Sequence, residues 1–174
     1  VITDTGAFTV SSGTYDADNS TVNVSGNVSI ANGTIDISGG TSTINFNGTT
    51  NQTFNPGSNN CDNIFVNKIV ALNNTASLIG TLGNALEIRI VDGVFDINGN
   101  NIGVITAFSN DSDSDNDGTF TLNGGETIGG ITNDTDTGRV RYKGNGTIDA
   151  TRMGNVFYDL EIAGTNDAGT NITV

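Results

Sequence analysis

The sequence predicts an all-β protein, and three observations lead to this fold class. Gly, Asn, Thr and Ser dominate a chain of 174 residues in which Pro occurs once, Trp and His are absent, and charged residues make up 14%. Those residue types form helices poorly and suit short strands joined by turns. Apolar residues alternate with polar ones, as in Val22/Val24 and Val28/Ile30. Strand patterns also recur at long intervals, which is typical of repeat architectures.

The strand pattern starts at the beginning of the chain and is interrupted by closely spaced turns. Strands are predicted at 7–10, 14–16, 21–24, 27–30 and 34–37, with turns such as Ser12-Gly13 and Asn32-Gly33 between them. Further strands are predicted at 43–47, 52–54, 64–66, 69–72, 86–91, 94–97, 102–105 and 119–122. We favour a right-handed parallel β-helix, a solenoid of stacked short strands. The alternative is an antiparallel β-sandwich.

Two long-range repeats of the strand pattern, called echoes here, indicate that the sequence contains one module in two copies. The pattern around Ile44 and Ile64 returns 96 positions later in residues 138–163, and the pattern around Phe8 returns 80 positions later around Ile88. The sequence therefore predicts module 1 at residues 1–80 and module 2 at residues 81–174, within one continuous solenoid. Module 2 carries an acidic insertion near 110–118 and a second insert near 128–138.

The sharpest motif lies in the acidic insertion, where aspartates alternate with other residues and end at a glycine. Such spacing places several oxygens around one point, and it resembles the calcium loops of EF-hand-like and dockerin-like repeats. The glutamate that those loops carry at position 12 is replaced by Gly124. An unliganded, solvated loop is the alternative, although clustered like charges repel without a counter-ion. We predict calcium as a cofactor, with these ligands: Asp111, Asp113, Asp115 and Asp117.

Four of the six basic residues lie close together, at Arg139, Arg141, Lys143 and Arg152. The first three alternate with apolar residues and therefore share the solvent face of one predicted strand. One interpretation is charge balance against acidic residues nearby in the sequence, namely Asp134, Asp136 or Asp149. The other is an inter-subunit contact of Arg139, Arg141 and Lys143 with the acidic loop of a neighbouring copy.

Composition excludes several classes of partner and chemistry. The net charge of −13 disfavours nucleic acid and anionic membranes, and no apolar run is long enough for membrane insertion. Cys61 is the single cysteine and is predicted to be buried. Without His, a His-based catalytic triad is excluded and zinc sites are implausible. Only Lys143, Asp149 and Arg152 resemble the clusters of β-helix polysaccharide lyases and glycosidases, so we predict that the chain is not an enzyme.

Eleven Asn-x-Ser/Thr sites occur in the sequence, and they permit glycosylation of an exported protein. The predicted acceptors are Asn19, Asn23, Asn27, Asn32, Asn47, Asn51, Asn73, Asn110, Asn133, Asn145 and Asn171.

The two ends of the chain are in phase with each other. At an offset of 96, residues 171–174 correspond to 75–78, whereas residues 1–10 correspond to 81–90 at an offset of 80. This is the pattern of a tandem array or of a head-to-tail polymer, because contacts that do not close on themselves produce filaments. The predicted partners are therefore copies of the chain itself.

Three segments of the sequence resemble secreted β-helical repeats, which occur in filamentous-haemagglutinin-like and autotransporter-like surface proteins of microbes. The segments are Val24-Ser-Gly-Asn-Val-Ser-Ile30, Gly33-Thr-Ile-Asp-Ile37 and Val156-Phe-Tyr-Asp-Leu-Glu-Ile162. The resemblance covers most of the chain and implies an adhesive or structural protein, extracellular or on the cell surface. We predict a non-enzymatic structural protein that self-associates end to end into a surface filament or stalk. The alternative is an adhesin or carbohydrate-binding module that binds surface glycans, and the third hypothesis is a polysaccharide-degrading enzyme.

Overall fold

The chain folds, in the computed structural model, into a β-solenoid of about seven coils. The structure describes residues 2–16, 18–36, 39–68, 74–111, 113, 118–145, 147–148, 153, 156–165 and 167–168. Within those ranges all regular structure is β-strand, as the composition predicts.

The strands are short and follow one another closely. In chain order they are β1 (Ile2–Thr5), β2 (Phe8–Thr9), β3 (Thr14–Asp16), β4 (Thr21–Val24), β5 (Val28–Ser29), β6 (Thr34–Asp36), β7 (Thr43–Phe46), β8 (Gln52–Asn55), β9 (Cys61–Asn67), β10 (Thr75–Leu78), β11 (Ala85–Asp96), β12 (Ile102–Asn110), β13 (Gly118–Leu122), β14 (Ile128–Gly130), β15 (Arg139–Tyr142), β16 (Thr147–Ile148), β17 (Asp159–Ile162) and β18 (Asp167–Ala168). The predicted strand at 69–72 lies outside the described residues.

The coils stack so that strands form three faces. Face 1 contains β1, β4, β7, β9, the first half of β11 and the second half of β12. Face 2 contains β2, β5, β8, β10, the second half of β11, β13, β15 and β17. Face 3 contains the pairs β3–β6, β12–β14 and β16–β18. All of these pairings are parallel. The parallel β-helix is therefore confirmed, and the β-sandwich is wrong because it requires antiparallel pairs.

The structural repeat is a single coil of 19 to 26 residues. On face 1, Val22 pairs with Ile44, Ile44 with Ile64, and Ile64 with Ile88. The longer echoes connect different faces, since Ile44 lies on face 1 and its echo Val140 lies on face 2. These echoes arise because the strands of both faces share the same alternation of apolar and polar residues. The division into modules 1–80 and 81–174 stays a prediction.

The interior is filled by columns of apolar side chains that point inward from successive coils. Ile44, Ile64 and Ile88 are buried on face 1, and the rings of Phe46 and Phe54 lie 5.4 Å apart between faces 1 and 2. Burying each such side chain contributes about 1.5–3 kcal/mol. Because parallel strands lie about 4.8 Å apart, one coil covers the core of the coil beside it.

Asparagine side chains join the coils at the corners, where the strand hydrogen bonds are interrupted. Each of these corner asparagines accepts, through Oδ1, a backbone N–H from the next coil. The donor–acceptor distances are 2.7–3.2 Å in protein hydrogen bonds generally, and those observed here fall in that range. The pairs are Thr41 to Asn19, Thr53 to Asn27, Thr75 to Asn51, Asn84 to Asn60, Val104 to Asn84, Thr127 to Asn101 and Thr165 to Asn145.

Glycine occupies a corner where two coils approach most closely. A Cβ at Gly26 would collide with the backbone carbonyl of Gly6, and a Cβ at Gly48 would lie 2.3 Å from the Ser25 carbonyl oxygen. Neither obstacle is a flexible side chain that could move aside. These positions therefore require glycine for the coils to stack at strand spacing.

Shortening an inward aromatic side chain should destabilise the solenoid strongly. We expect Phe54→Ala to lower the free energy of unfolding by about 3–5 kcal/mol, because Phe54 is fully buried. Thr53→Ala, on the outward side of the same strand, should cost less than about 1 kcal/mol. Urea unfolding followed by circular dichroism measures both values, and equal losses would contradict the inward placement of Phe54.

Candidate functional surfaces

The acidic loop is described only in part. Asp111 is fully buried and has a positive φ of 66°, whereas Asp113 is exposed. Asp115 and Asp117 lie outside the described residues. Among the residues that the structure describes, no group of three or more acidic, His or Cys side chains could hold a metal ion. Calcium binding at the four predicted ligands stays a prediction.

The second predicted insert lies beside the strand that leads into the acidic loop. The Asn110 N–H donates to Asp134 Oδ2 at 3.0 Å, and the Thr137 hydroxyl donates to the Asn110 carbonyl at 2.8 Å. Burial, followed by the hydrogen bond with the Asp136 carboxyl group, raises the pKa of Asp134. Asp134 and Asp136 line a shallow depression of about 470 Å³ together with Phe108. The two inserts therefore belong to neighbouring coils.

The predicted basic residues form ion pairs within the chain. Arg139 Nε lies 2.7 Å from Asp159 Oδ2, and Arg141 Nε lies 3.2 Å from Glu161 Oε1. Both pairs join opposed residues of β15 and β17. Their side chains are nearly half exposed, so each pair contributes only about 0–1 kcal/mol. The acidic partners are thus residues of the next coil, and an inter-subunit role for the arginines stays a prediction.

Lys143 reaches further than its neighbours. Its Nζ atom lies 2.5 Å from Asp96 Oδ2, although Asp96 belongs to a strand two coils away. The second oxygen of Asp96 accepts the N–H of Asn98 at 2.8 Å. Lys143 is therefore engaged in a contact that ties three coils together. Asp149 and Arg152, which with Lys143 resemble the clusters of β-helix enzymes in the sequence, lie outside the described residues.

The predicted glycosylation acceptors differ in accessibility. Six are exposed, namely Asn19, Asn27, Asn32, Asn47, Asn51 and Asn145. Asn23 and Asn133 are half-buried, and Asn73 and Asn171 lie outside the described residues. Asn110 is buried and donates through Nδ2, the atom that a glycan would occupy, to the Arg139 carbonyl at 2.8 Å. A glycan at Asn110 is therefore incompatible with this fold.

Cys61 lies in the core, where burial and the nearby Asp62 carboxylate raise the pKa of its thiol to about 12. The thiolate, which is the reactive form of cysteine, is therefore scarce at neutral pH. A structural role fits this environment, as the sequence predicts.

Lys68 is a buried lysine that links the third coil to the fourth by hydrogen bonds, and sequence reasoning missed it. Lys68 Nζ donates to Gly48 O at 3.1 Å, to Thr50 O at 3.3 Å and to Gln52 Oε1 at 2.5 Å. Gln52 points inward, and its Nε2 donates to Val24 O at 2.8 Å. Burial lowers the pKa of Lys68 to about 8. An inward Gln on an otherwise apolar face is the sequence signal for this polar cluster.

At the outer edge of the first coil, no described strand forms a partner. Among the described strands, β2 pairs only with β5, and β3 pairs only with β6. Phe8 and Tyr15 pack edge to face with ring centroids 5.2 Å apart, yet both remain partly accessible. At the other end, β17 pairs only with β15 among the described strands, and Ile162 is 45% exposed. Among the described strands, β2, β3 and β17 thus each have one edge with no partner strand.

Comparisons with known proteins found no relatives. No family model matches the chain, no curated protein matches it, and no solved structure matches it. A search of the described residues finds no helix that is long and apolar enough to cross a membrane.

Replacing Lys68 should change how stability depends on pH. Between pH 8 and 10.5 the unfolded chain holds the Lys68 proton and the folded chain does not, so this group makes stability rise with pH across that window. Lys68→Met removes the effect. We expect the difference in unfolding free energy, wild type minus variant, to increase by on the order of 1–3 kcal/mol from pH 8 to pH 10.5. If the unfolding free energies of the wild type and of Lys68→Met, measured in urea, changed with pH in parallel, this prediction would be contradicted.

Calcium should stabilise the chain if the predicted acidic loop binds it. Since a ligand that binds only the folded state adds about 2.7 kcal/mol at a hundredfold excess over its Kd, thermal unfolding should shift upward by several degrees. The triple variant Asp113→Asn, Asp115→Asn, Asp117→Asn should lose this shift, whereas Asp16→Asn on exposed β3 should keep it. Identical melting curves of the wild type in calcium and in EDTA would contradict the prediction.

Proposed function

We propose that the chain is a non-enzymatic structural protein that self-associates end to end, outside the cell or on its surface. The single observation that carries the proposal is the outer edge of the first coil, with which no described strand pairs. Its strands have unpaired edges among the described residues, and its aromatic pair of Phe8 and Tyr15 is incompletely covered. Exposed strand edges pair with other chains unless they are blocked.

The hydrogen-bonding groups of the first coil support this association. The N–H groups of Phe8 and Val10 donate to the second coil, at 2.9 Å each. Alternate residues of a parallel strand bond to opposite sides, so the N–H of Thr9 between them points away from the solenoid. Thr9 has no strand beyond it among the described residues. An incoming strand of another copy would satisfy this donor.

The parallel topology supports one kind of assembly over others. The two ends of a stack of coils present opposite edges, so the far end of one copy is complementary to the first coil of the next. Such a contact is heterologous, and heterologous contacts that do not close produce open filaments. Addition of a strand to a sheet edge is a common mode of recognition. A filament or stalk is therefore the assembly that we propose.

A structural role also agrees with the chemistry of the described surface. Lys143 is engaged by Asp96, and the Cys61 thiol is buried with a raised pKa. An extracellular location is supported by the exposed Asn-x-Ser/Thr sites and by the resemblance to secreted surface repeats. Adhesion to glycans is compatible with a filament and would use the sides of the solenoid.

Association should depend on the edge of β2. We expect sedimentation velocity and negative-stain electron microscopy to show filaments that lengthen with protein concentration. Thr9→Pro should abolish them, because proline removes the outward N–H and is tolerated on an edge strand. Thr9→Ala, which keeps the N–H, should assemble like the wild type.

Two results would contradict the proposed end-to-end association. One is a wild-type protein that remains monodisperse and monomeric at high concentration. The other is filament formation by Thr9→Pro at the wild-type level, which would place the contact elsewhere. Circular dichroism of each variant serves as the control for folding.

A further inference from the structure

A groove runs along one corner of the solenoid, where face 3 leads into face 1. It has a volume of about 310 Å³. Its floor consists of the buried residues Cys61 and Ala85, which pair in register. Its walls are the residues on either side of the floor, which occupy outward positions because side chains alternate along a strand. Among them Asp62 is only 7% exposed. The wall residues are Asn60, Asp62, Asn84, Leu86 and Thr106.

The corner hydrogen bonds fix the amide groups of the walls in a defined orientation. Asn60 Oδ1 accepts the Asn84 N–H at 2.8 Å, and Asn84 Oδ1 accepts the Val104 N–H at 2.8 Å. Each amide oxygen is thereby used within the protein. The Nδ2 groups have no protein partner among the described residues, and both asparagines are exposed. Two preorganised N–H donors therefore stand about 4.8 Å apart, one per coil.

An acceptor and an apolar surface complete the groove. Asp62 Oδ2 accepts the Ser42 N–H at 2.7 Å and the Ser42 hydroxyl at 2.9 Å. Its other oxygen, Oδ1, has no partner among the described residues. Leu86 is 45% exposed although it is a large apolar residue. Donors, an acceptor and an apolar patch converge on one concavity, as is usual in small-ligand sites.

We propose that this groove binds a neutral oligosaccharide. Sugar hydroxyl groups both donate and accept hydrogen bonds, and they match the amide donors of Asn60 and Asn84 together with the Asp62 acceptor. The C–H face of a sugar ring would pack on Leu86. A chain that crosses these two coils can contact Asn60 and then Asn84.

The charges near the groove argue against other ligands. No cationic side chain lines it, and the chain has a net charge of −13, so an anionic ligand would be repelled. A metal ion would find a single carboxylate, which is fewer ligands than calcium takes. A neutral, hydroxyl-rich ligand fits both the charge of the groove and its set of donors and acceptors.

The test uses isosteric substitutions that spare the fold. Asn60→Asp and Asn84→Asp keep the oxygen that accepts the next coil's N–H and replace the Nδ2 donor by an oxygen. The matched control is Asn101→Asp, because Asn101 makes the same corner bond, to the Thr127 N–H at 2.8 Å, outside the groove. Leu86→Ser removes the apolar contact.

The measurement is an NMR titration of the full chain with cellohexaose, xylohexaose and mannohexaose. We expect at least one of them to shift the side-chain amide resonances of Asn60 and Asn84. Asn84→Asp and Leu86→Ser should each raise its Kd at least tenfold, whereas Asn101→Asp should leave the Kd unchanged.

The proposal is overturned if none of the three shifts these resonances at about 10 mM, a concentration that detects millimolar affinity. It is also overturned if the groove variants bind as tightly as the control, or if hexagalacturonic acid binds while the neutral sugars do not. Because the titration is done on the monomer as well as on any polymer, its result is independent of end-to-end association.

Discussion

Parallel hydrogen bonding between successive coils is the constraint on which the rest of this structure depends. Strands about 4.8 Å apart leave no room for bulky groups between coils. Each position therefore repeats its chemistry from coil to coil: apolar residues inward, such as Ile44 above Val22, and polar residues outward, such as Asn45, which donates to Asn23 Oδ1 at 2.7 Å. The same constraint explains the abundance of Gly, since a side chain at Gly26 would collide with the coil beside it.

Corners pose a separate physical problem, because the backbone there leaves the strand geometry while its polar groups still need partners. The solenoid solves it with side chains. Corner asparagines accept N–H groups, as Asn27 does for Thr53, while the ammonium group of Lys68 satisfies the carbonyls of Gly48 and Thr50. The high Asn content is thus structural at many positions. Two of the corner asparagines, Asn60 and Asn84, keep outward amide N–H groups, and the proposed glycan groove depends on them.

The sides and the ends of the solenoid are suited to different tasks. On the sides, outward side chains of adjacent coils form ion pairs and hydrogen bonds with one another, such as Arg139 with Asp159 on face 2. The described ends retain unpaired strand edges. Association through the ends and ligand binding along a corner therefore do not compete for the same surface. A filament would also align the groove of one copy with that of the next, which would present many equivalent sites to a long glycan.

The sequence by itself determined the fold class, because alternation with period two and closely spaced turns leave few alternatives to stacked short strands. It also placed many strands closely, including Thr14–Asp16 and Thr21–Val24. Only the tertiary structure decided which strands are neighbours. Several faces share one pattern, so the echo between Ile44 and Val140 connects different faces. The same holds for the sites: alternation predicts that Arg139 is outward, but its pairing with Asp159, the cluster around Lys68 and the groove beside Asn84 depend on coil register, which arises only when the coils stack.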